Sequence, residues 1–429
     1  MLACGSASLS AAERFNSECN QPEYIAGGEY TLVVDGFDWG PGVNGVIISM
    51  EDTLSEADPL DYSVYAERKT DCKDLEGDKA SGERTIVNAY VSDEWGNPVE
   101  KGTYLTLVLF VSPLEPLTSP FVYTDDGKCD GNSWVDYRVT ITDRKGNRFW
   151  DRETGRISRL MDRFDLTGRY RYSDTLTMSY AFYRPGKSNG STPLIIWLHG
   201  GGEGGTDLSL PLLANRAANY ASDEIQAIFE GAFVLVPQCP GAWMDNKKGV
   251  MTHGKEDDVY HVALMQLIRD FVAGQPDIDP DRIYVGGCSN GGYMSLKLIM
   301  DHPGYFAAGF ISALAYQSRY ISDEKIESIR NVPIWFVHSA DDSTTIPEKT
   351  VLPVFQRLKE AGAENVHLSY YDHVIDITGF YGGEGLHQEG HWSWIYCHAN
   401  LCRRDYDGSL VEVNGKPVTI MEWLAAQSR

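Results

Sequence analysis

The sequence predicts two domains, an all-β sandwich followed by a mostly parallel β-sheet with helices on both faces. Its 429 residues are too many for one small core and fit two domains. Between residues 25 and 145, short strand-like runs follow one another with turn signals between them and no long helical period. From residue 146 to residue 429, strand-like runs alternate with helical patterns. Residues 1–24 are expected to form a flexible N-terminal segment.

The first domain contains several runs with strand character. Apolar and polar residues alternate most clearly in 85–91, and 94–98 combines glycine, asparagine and proline as a turn does. The predicted strands are 30–37, 46–51, 62–68, 85–92, 104–112 and 134–142. This succession is typical of an immunoglobulin-like sandwich. Because the domain shows no catalytic constellation, we expect it mainly to stabilise the chain, with polymer binding and cover of an active site as alternatives.

The second domain is expected to follow a polar segment at 143–166 and to open with a hairpin at 170–183. Strands are predicted at 194–198, 232–237, 282–286, 306–312, 334–337 and 366–371, and helices at 208–220, 257–273, 293–300 and 348–361. In such a sheet, active-site groups collect at the carboxyl ends of the strands. The candidate catalytic residues below all fall at such an end.

Composition limits the partners of the chain. A formal net charge of −24 argues against nucleic acid or an anionic membrane surface, because phosphate attraction needs an excess of lysine and arginine. No apolar run reaches membrane-spanning length. No intact signal peptide is visible, but residues 1–6 resemble the tail of a bacterial lipoprotein signal, so we expect an exported protein, secreted or lipid-anchored at Cys4. A flexible terminus of small residues would look the same.

The eight cysteines are too few for a disulfide scaffold, and none form a C-x-x-C pair. Cys72 and Cys129 both lie in polar, loop-like sequence and are candidates for a bridge. Cys397 and Cys402 would close only a short loop. For both pairs, two reduced thiols remain the alternative.

The stretch 287–291, Gly-Cys-Ser-Asn-Gly, lies between an apolar strand-like run and a helical pattern. A strand, G-x-S-x-G and a helix in that order are typical of a nucleophile elbow, in which a sharp turn exposes a serine hydroxyl. The flanking glycines avoid collisions with the crossing strand and helix. Ser289 is therefore the candidate nucleophile.

A glycine cluster at 199–205, His-Gly-Gly-Gly-Glu-Gly-Gly, directly follows the strand predicted at 194–198. Loops of this kind supply one N–H group of an oxyanion hole, and the residue after the nucleophile supplies the other. Gly201, Gly202 and Asn290 are the candidate donors. A phosphate-binding loop is the rival interpretation, but the Gly-Lys-Ser/Thr ending that it needs is missing.

The acid and the base should come from later loops. Asp341 and Asp342 follow the strand at 334–337, and either carboxylate could orient a catalytic imidazole. Among the ten histidines, His391 lies beyond the last strand, with His387 as its competitor. The spacing of these histidines does not fit a zinc motif, and 277–282 lacks the glycine and glutamate of a calcium loop, so no metal site is predicted.

The sequence resembles bacterial α/β-hydrolase esterases that carry an immunoglobulin-like N-terminal domain, close to polyhydroxyalkanoate-depolymerase-like, feruloyl-esterase-like and prolyl-oligopeptidase-like hydrolases. The likeness is carried by 36–41, 199–205, 237–240, 279–284, 287–293, 338–342 and 390–394. It implies an α/β-hydrolase fold for the second domain, a carboxylester hydrolase that uses no metal or organic cofactor, and an acid four residues after His338. It therefore favours Asp342 over Asp341.

The resulting hypothesis is a serine esterase with the triad Ser289, Asp342 and His391. Its substrates would be short-chain or aromatic, feruloyl-like esters, either small or polymer-linked. Trp243 and Trp392 are candidates for the walls of the substrate pocket, with plain packing as the alternative. A prolyl-oligopeptidase-like peptidase is the second hypothesis, because ester and amide hydrolysis share these parts, and a catalytically silent binding protein is the third. The sequence gives no indication of oligomeric state.

Overall fold

The computed structural model describes residues 25–125, 127, 129–146, 148–186 and 190–429. The predicted flexible segment at 1–24 and the lipid-anchor site at Cys4 lie outside the described residues. Within these ranges, no helix combines the length and apolar character needed to cross a bilayer.

The first domain is an all-β unit, as the sequence predicts. Its described residues form β1 (Ile25–Phe37), β2 (Gly40–Leu54), β3 (Tyr62–Lys69), β4 (Ser81–Arg84), β5 (Ile86–Ser92), β6 (Gly102–Leu109), β7 (Phe121–Thr124), β8 (Gly131–Trp134), β9 (Asp136–Asp143) and β10 (Arg148–Ile157). Eight of these strands are hydrogen-bonded in the order β4-β3-β9-β10-β1-β2-β6-β5, while β7 and β8 pair as a separate hairpin. The domain has one apolar core, and the Val139 amide of β9 donates at 3.2 Å to the hydroxyl of Tyr30, a core residue of the non-adjacent strand β1.

Strand β10 corrects the predicted domain boundary. It pairs in parallel with β1 through Arg148–Ile157 and antiparallel with β9, so the first sheet continues past residue 145 into the polar segment predicted to lead into the second domain. Only Trp150 of this strand is buried, and its indole N–H donates to the carbonyl of Ser49 at 2.8 Å. A strand that buries a single side chain shows no apolar alternation, which explains why the sequence pattern missed it.

The second domain has the predicted α/β architecture. Its strands are β11 (Asp165–Arg171), β12 (Thr177–Tyr183), β13 (Thr192–Leu198), β14 (Phe233–Gln238), β15 (Ile278–Cys288), β16 (Ala308–Ser312), β17 (Ile334–Ser339), β18 (Val366–Tyr371), β19 (Glu412–Val413) and β20 (Lys416–Pro417). Its helices are α1 (Ser209–Leu213), α2 (Asp223–Ile228), α3 (His261–Ala273), α4 (Asn290–Asp301), α5 (Asp323–Ile329), α6 (Val351–Glu360), α7 (Trp394–His398) and α8 (Ile420–Ala425). The main sheet has the order β11-β12-β14-β13-β15-β16-β17-β18 and is parallel from β14 onward.

Both faces of this sheet are buried, which explains the continuous apolar runs of its central strands. In β13, Leu194 and Ile196 point into one apolar cluster, while Ile195 and Trp197 point into the cluster on the opposite face. Because β13, β15, β16 and β17 pair in parallel, their carboxyl ends lie at the same end of the sheet, where the loops that carry the candidate residues begin.

The helix predicted at 208–220 is broken into two pieces. The chain takes a left-handed conformation at Arg216, with φ of 56°, between α1 and a 3₁₀ turn at Ala217–Ala221. The guanidinium group of Arg216 binds the carboxylate of Asp38, which lies between β1 and β2 of the first domain. The break in the helix thus coincides with an ionic contact between the domains.

The two candidate cysteine pairs differ in the structure: one forms a disulfide and the other does not. Cys72 and Cys129 form a disulfide that ties the loop after β3 to the loop between β7 and β8. Cys397 and Cys402 are buried free thiols in the second domain. The predicted alternatives are therefore resolved in opposite ways for the two pairs.

Candidate active site

Ser289 lies at the tip of a strained turn between β15 and α4. Its φ of 54° and ψ of −114° fall outside the regions that side chains favour. Its amide donates to the carbonyl of Ser312 at 3.1 Å, which anchors the turn to β16. A Cβ atom on Gly287 or Gly291 would lie 2.5 or 1.9 Å from the carbonyl oxygen of Leu198. Glycine at these two positions is what allows the sheet and helix to close around the serine.

His391 is held by Asp342. Its Nδ1 atom lies 2.9 Å from Asp342 Oδ2 and 3.1 Å from Oδ1, so this nitrogen carries the proton and donates to the carboxylate. The imidazole packs edge-on against Trp394, with ring centroids 5.4 Å apart. The pairing leaves Nε2 as the nitrogen that can accept a proton.

Several donors surround the carboxylate of Asp342. The amides of Thr344 and Thr345 donate to Oδ1 at 2.9 and 2.8 Å, and the Thr345 hydroxyl donates to Oδ2 at 2.6 Å. His338 Nε2 lies 3.2 Å from Oδ2. Burial of Asp342 would raise its pKa, but the hydrogen bonds from His338, His391 and Thr345 outweigh burial and hold that pKa far below its ordinary value. The carboxylate is therefore ionised at neutral pH.

Asp341 and His387 belong to a different cluster. Asp341 accepts hydrogen bonds from the Ser339 hydroxyl and, at 2.9 Å, from His373 Nδ1. The imidazole of His387 stacks on that of His373 with centroids 4.2 Å apart. Asp341 and His387, the alternative acid and base, therefore both contact His373 and not His391. Among the described residues, no group of histidine, cysteine, aspartate and glutamate side chains is arranged to hold a metal ion.

The glycine loop after β13 is fixed by a buried histidine. His199 Nε2 accepts from the Cys239 amide at 3.0 Å, so Nδ1 carries the proton and donates to the Gly200 carbonyl at 2.6 Å. Burial lowers the pKa of His199 to about 4, which keeps the imidazole neutral. Gly201 then opens a 3₁₀ turn that ends at Glu203, while Asn290 begins α4.

A cavity of about 690 Å³ joins these parts. Ser289, Asn290, Gly201, Gly202 and His391 all line it. Both domains supply the remaining wall, and the first domain contributes Trp39 from the turn between β1 and β2 and Phe121, Tyr123 and Asn132 from the β7–β8 hairpin. The structure therefore places Ser289, His391 and the predicted oxyanion donors around one cavity between the domains, while Asp342 contacts His391 without lining the cavity.

The two predicted wall tryptophans differ. Trp392 lines the cavity beside His391. Trp243 is fully buried and packs against His199 and Tyr260 with ring centroids 5.2 and 6.4 Å away, so it supports the site from inside the core and has no surface on the cavity. The wall residues of the first domain, such as Trp39, were missed. Trp39 lies in the 36–41 motif, which has no catalytic residue type to mark it, whereas Phe121, Tyr123 and Asn132 lie outside every motif that the sequence analysis found.

Two family models match the chain. The esterase Ig-like N-terminal domain matches residues 29–154, and the prolyl oligopeptidase family matches residues 242–326, which include Ser289. Among solved structures, the chain is similar to a thermostable esterase, with 25% sequence identity and a TM-score of 0.72 over 93% of this chain and 99% of that one. The chain has an α/β-hydrolase fold preceded by an esterase-type immunoglobulin-like domain.

This α/β-hydrolase also shows weaker similarities. Acylaminoacyl peptidase of Pyrococcus horikoshii is 18% identical, with a TM-score of 0.36 over 49% of this chain and 37% of that one. Esterase 2 of Thermogutta terrifontis is 14% identical, with a TM-score of 0.34 over 49% of this chain and 83% of that one. No curated protein matches the chain in sequence. The match to the prolyl oligopeptidase family and the similarity to the thermostable esterase show that the chain is a serine hydrolase.

Proposed function

We propose that this serine hydrolase cleaves carboxylic esters through an acyl-serine intermediate, with Ser289 as nucleophile, His391 as base and Asp342 as the acid of the triad. The observation that supports this most is the 2.9 Å contact of His391 Nδ1 with the buried carboxylate of Asp342, at a cavity that Ser289 also lines. Nucleophile, base and orienting acid are the three parts that acyl transfer through serine requires.

In the proposed reaction, His391 Nε2 takes the proton of the Ser289 hydroxyl as the oxygen attacks the ester carbonyl. The ionised Asp342 stabilises the imidazolium ion that results, without taking its proton. The imidazolium then protonates the leaving alcohol, and an acyl-serine remains. Water, activated by the same imidazole, hydrolyses the acyl-serine and restores the free hydroxyl.

The negative charge on the carbonyl oxygen would be held by main-chain N–H groups of Asn290 and of Gly201 or Gly202. Donors of this kind are fixed before the reaction begins, and one such donor is typically worth about 10² to 10³ in turnover. Glycine suits the loop, because a backbone amide can approach the oxyanion with no Cβ in the way.

The size and lining of the cavity favour esters with small or aromatic acyl groups. Its volume of about 690 Å³ is within the range that small-molecule sites occupy. Trp39, Tyr123, Trp392 and Trp394 line it and offer flat apolar surface for an aromatic ring. We therefore propose short-chain or feruloyl-like esters as substrates, free or attached to a polymer.

The test is a hydrolysis profile with p-nitrophenyl esters of graded acyl length, methyl esters of hydroxycinnamic acids and peptide anilides. We expect measurable turnover of short or aromatic esters by the unaltered protein, none by Ser289→Ala, and stoichiometric labelling of Ser289 by a fluorophosphonate. Folded protein that leaves Ser289 unlabelled and hydrolyses none of these esters would disprove the proposal.

A peptidase is the second candidate, because the prolyl oligopeptidase match covers the segment that contains Ser289. The same panel separates the two: peptide anilides cleaved with a higher kcat/KM than every ester would favour the peptidase.

We also propose that the protein works outside the reducing cytoplasm, either secreted or anchored by a lipid at Cys4. The Cys72–Cys129 disulfide supports this location, since such bonds persist in oxidising compartments. Fractionation of the producing cells, with Ser289 labelling as the marker, tests it.

A further inference from the structure

The β7–β8 hairpin of the first domain touches the proposed oxyanion loop. A Cβ atom on Gly131 would lie only 2.5 Å from the carbonyl oxygen of Gly202. A Cβ atom on Gly202 would lie 3.0 Å from the ring of Tyr123 and 3.1 Å from Asn132 Nδ2. The two backbones therefore approach as closely as glycine permits, and a shift of the hairpin would shift the loop.

One hydrogen bond between side chains connects the hairpin to the glycine loop. Asn132 Nδ2 donates to Glu203 Oε1 at 2.7 Å, and Glu203 is the last residue of the 3₁₀ turn that contains Gly201 and Gly202. Glu203 is only 4% exposed, and its own carbonyl accepts from Gln238 Nε2 at 2.9 Å. Burial raises the pKa of Glu203 to about 7, while the hydrogen bond from Asn132 opposes that rise. Five glycines surround Glu203 in the stretch 199–205, and burying an acid there is costly, which indicates a role beyond packing.

We propose that Asn132 is a positioning residue for the oxyanion hole: by holding Glu203 it fixes the orientation of the Gly201 and Gly202 amides. This inference rests on the proposed function, because it assigns those amides to the oxyanion. Glycine amides without side-chain contacts can rotate among many backbone conformations. The hydrogen bond from Asn132 to the adjacent Glu203 restricts this rotation. Small displacements of such amides lower turnover strongly.

The experiment compares Asn132→Ala, Glu203→Ala, the double variant and Glu203→Gln on the best ester of the panel. We expect Asn132→Ala to lower kcat about tenfold with KM nearly unchanged, because an oxyanion donor acts mainly in the transition state. Glu203→Ala should lose as much, and the double variant no more than either single variant, because both remove one interaction. Glu203→Gln keeps an acceptor oxygen for Asn132 and should retain most of the kcat of the unaltered protein.

Ser209→Ala is the matched control. Ser209 Oγ accepts from Trp134 Nε1 at 2.9 Å, so this variant also removes a hydrogen bond between the domains, but it leaves the glycine loop untouched. We expect its kcat to stay unchanged even if its Tm falls. All variants are compared at equal amounts of fluorophosphonate-reactive Ser289, which corrects kcat for any misfolded fraction.

Three results would overturn the inference: an unchanged kcat in Asn132→Ala, losses that multiply in the double variant, or an equal loss in Ser209→Ala, which would indicate a general effect of the interface. Failure of the proposed function gives a different result, since Ser289 of the unaltered protein would then resist the fluorophosphonate.

Discussion

Two neighbouring aspartates make almost the same contact with a histidine in very different surroundings. Asp342 lies 2.9 Å from His391 Nδ1, and Asp341 lies 2.9 Å from His373 Nδ1. The side chains of Asp342 and His391 are 0% and 13% exposed, whereas those of Asp341 and His373 are 33% and 47% exposed. An aspartate–histidine distance therefore does not identify a catalytic pair.

What separates the two pairs is their environment. The carboxylate of Asp342 is buried under donors from Thr344, Thr345 and His338, and its histidine lines the cavity of Ser289. Asp341 has the Ser339 hydroxyl as its other side-chain donor, and its histidine stacks on an exposed imidazole. A buried, fully hydrogen-bonded carboxylate can stabilise an imidazolium ion at a fixed position, while a solvated one is screened by water.

The largest expected contrast is between the two histidines. His391→Ala should reduce kcat about 10⁴- to 10⁶-fold, because the proposed mechanism then lacks its base. His373→Ala should leave kcat close to that of the unaltered protein. Turnover of the best ester is the measurement, and comparable losses in the two variants would show that the exposed pair takes part in the reaction.

The aspartates should differ nearly as much. Asp342→Asn keeps the size of the side chain but removes the charge that orients His391, and a loss of about 10⁴ in kcat is expected. Asp341→Asn is the control and should remain active. If Asp341→Asn were the more damaging change, the assignment of the acid would have to be reversed.

The donors to each carboxylate should differ in their effect on stability. Thr345→Val removes the hydroxyl that donates to Asp342 at 2.6 Å inside the fold, and we expect the free energy of unfolding to fall by about 1.5–3 kcal/mol. Ser339→Ala removes the corresponding donor to the more exposed Asp341 and should cost less. Urea denaturation of both variants at pH 7 measures the difference, and equal losses would contradict it.

The smallest effect concerns acid stability. The pKa of Asp342 is lowered in the folded chain, so its contribution to stability is complete above its ordinary value of about 3.9 and is lost as the pH falls below it. Hydrogen bonds from Ser339 and His373 outweigh partial burial and lower the pKa of Asp341 as well, but solvent screens that pair. Unfolding followed between pH 6 and 2 should therefore show a flatter acid limb for Asp342→Asn than for Asp341→Asn. A flatter limb for the latter would mean that the exposed pair dominates.

The sequence alone predicts those features that depend on neighbouring residues in the chain. The elbow around Ser289 is visible because the glycines that the turn needs lie within two residues of the serine. The strands of the second sheet are visible because both of their faces are apolar. The comparisons confirm the predicted combination of an immunoglobulin-like domain with an α/β-hydrolase fold.

Contacts between distant segments could not be read in the same way. Asp341 and Asp342 are indistinguishable by residue type, and only resemblance to a family separated them before the structure did so by burial. Trp243 follows a strand, as wall residues often do, but it packs inward on His199. The contact of Asn132 with Glu203 joins residues 71 positions apart in different domains, and no local pattern encodes it.

The wall between β1 and β2 and the β7–β8 hairpin come from a domain that supplies none of the triad residues. Exchange of the turn between β1 and β2 would therefore reshape the cavity without altering Ser289, His391 or Asp342, whereas any exchanged β7–β8 hairpin would have to keep its close approach to Gly202. Under the proposed function, new substrate preferences could therefore arise through the first domain, provided that each new hairpin still offers a partner for Glu203 in place of Asn132.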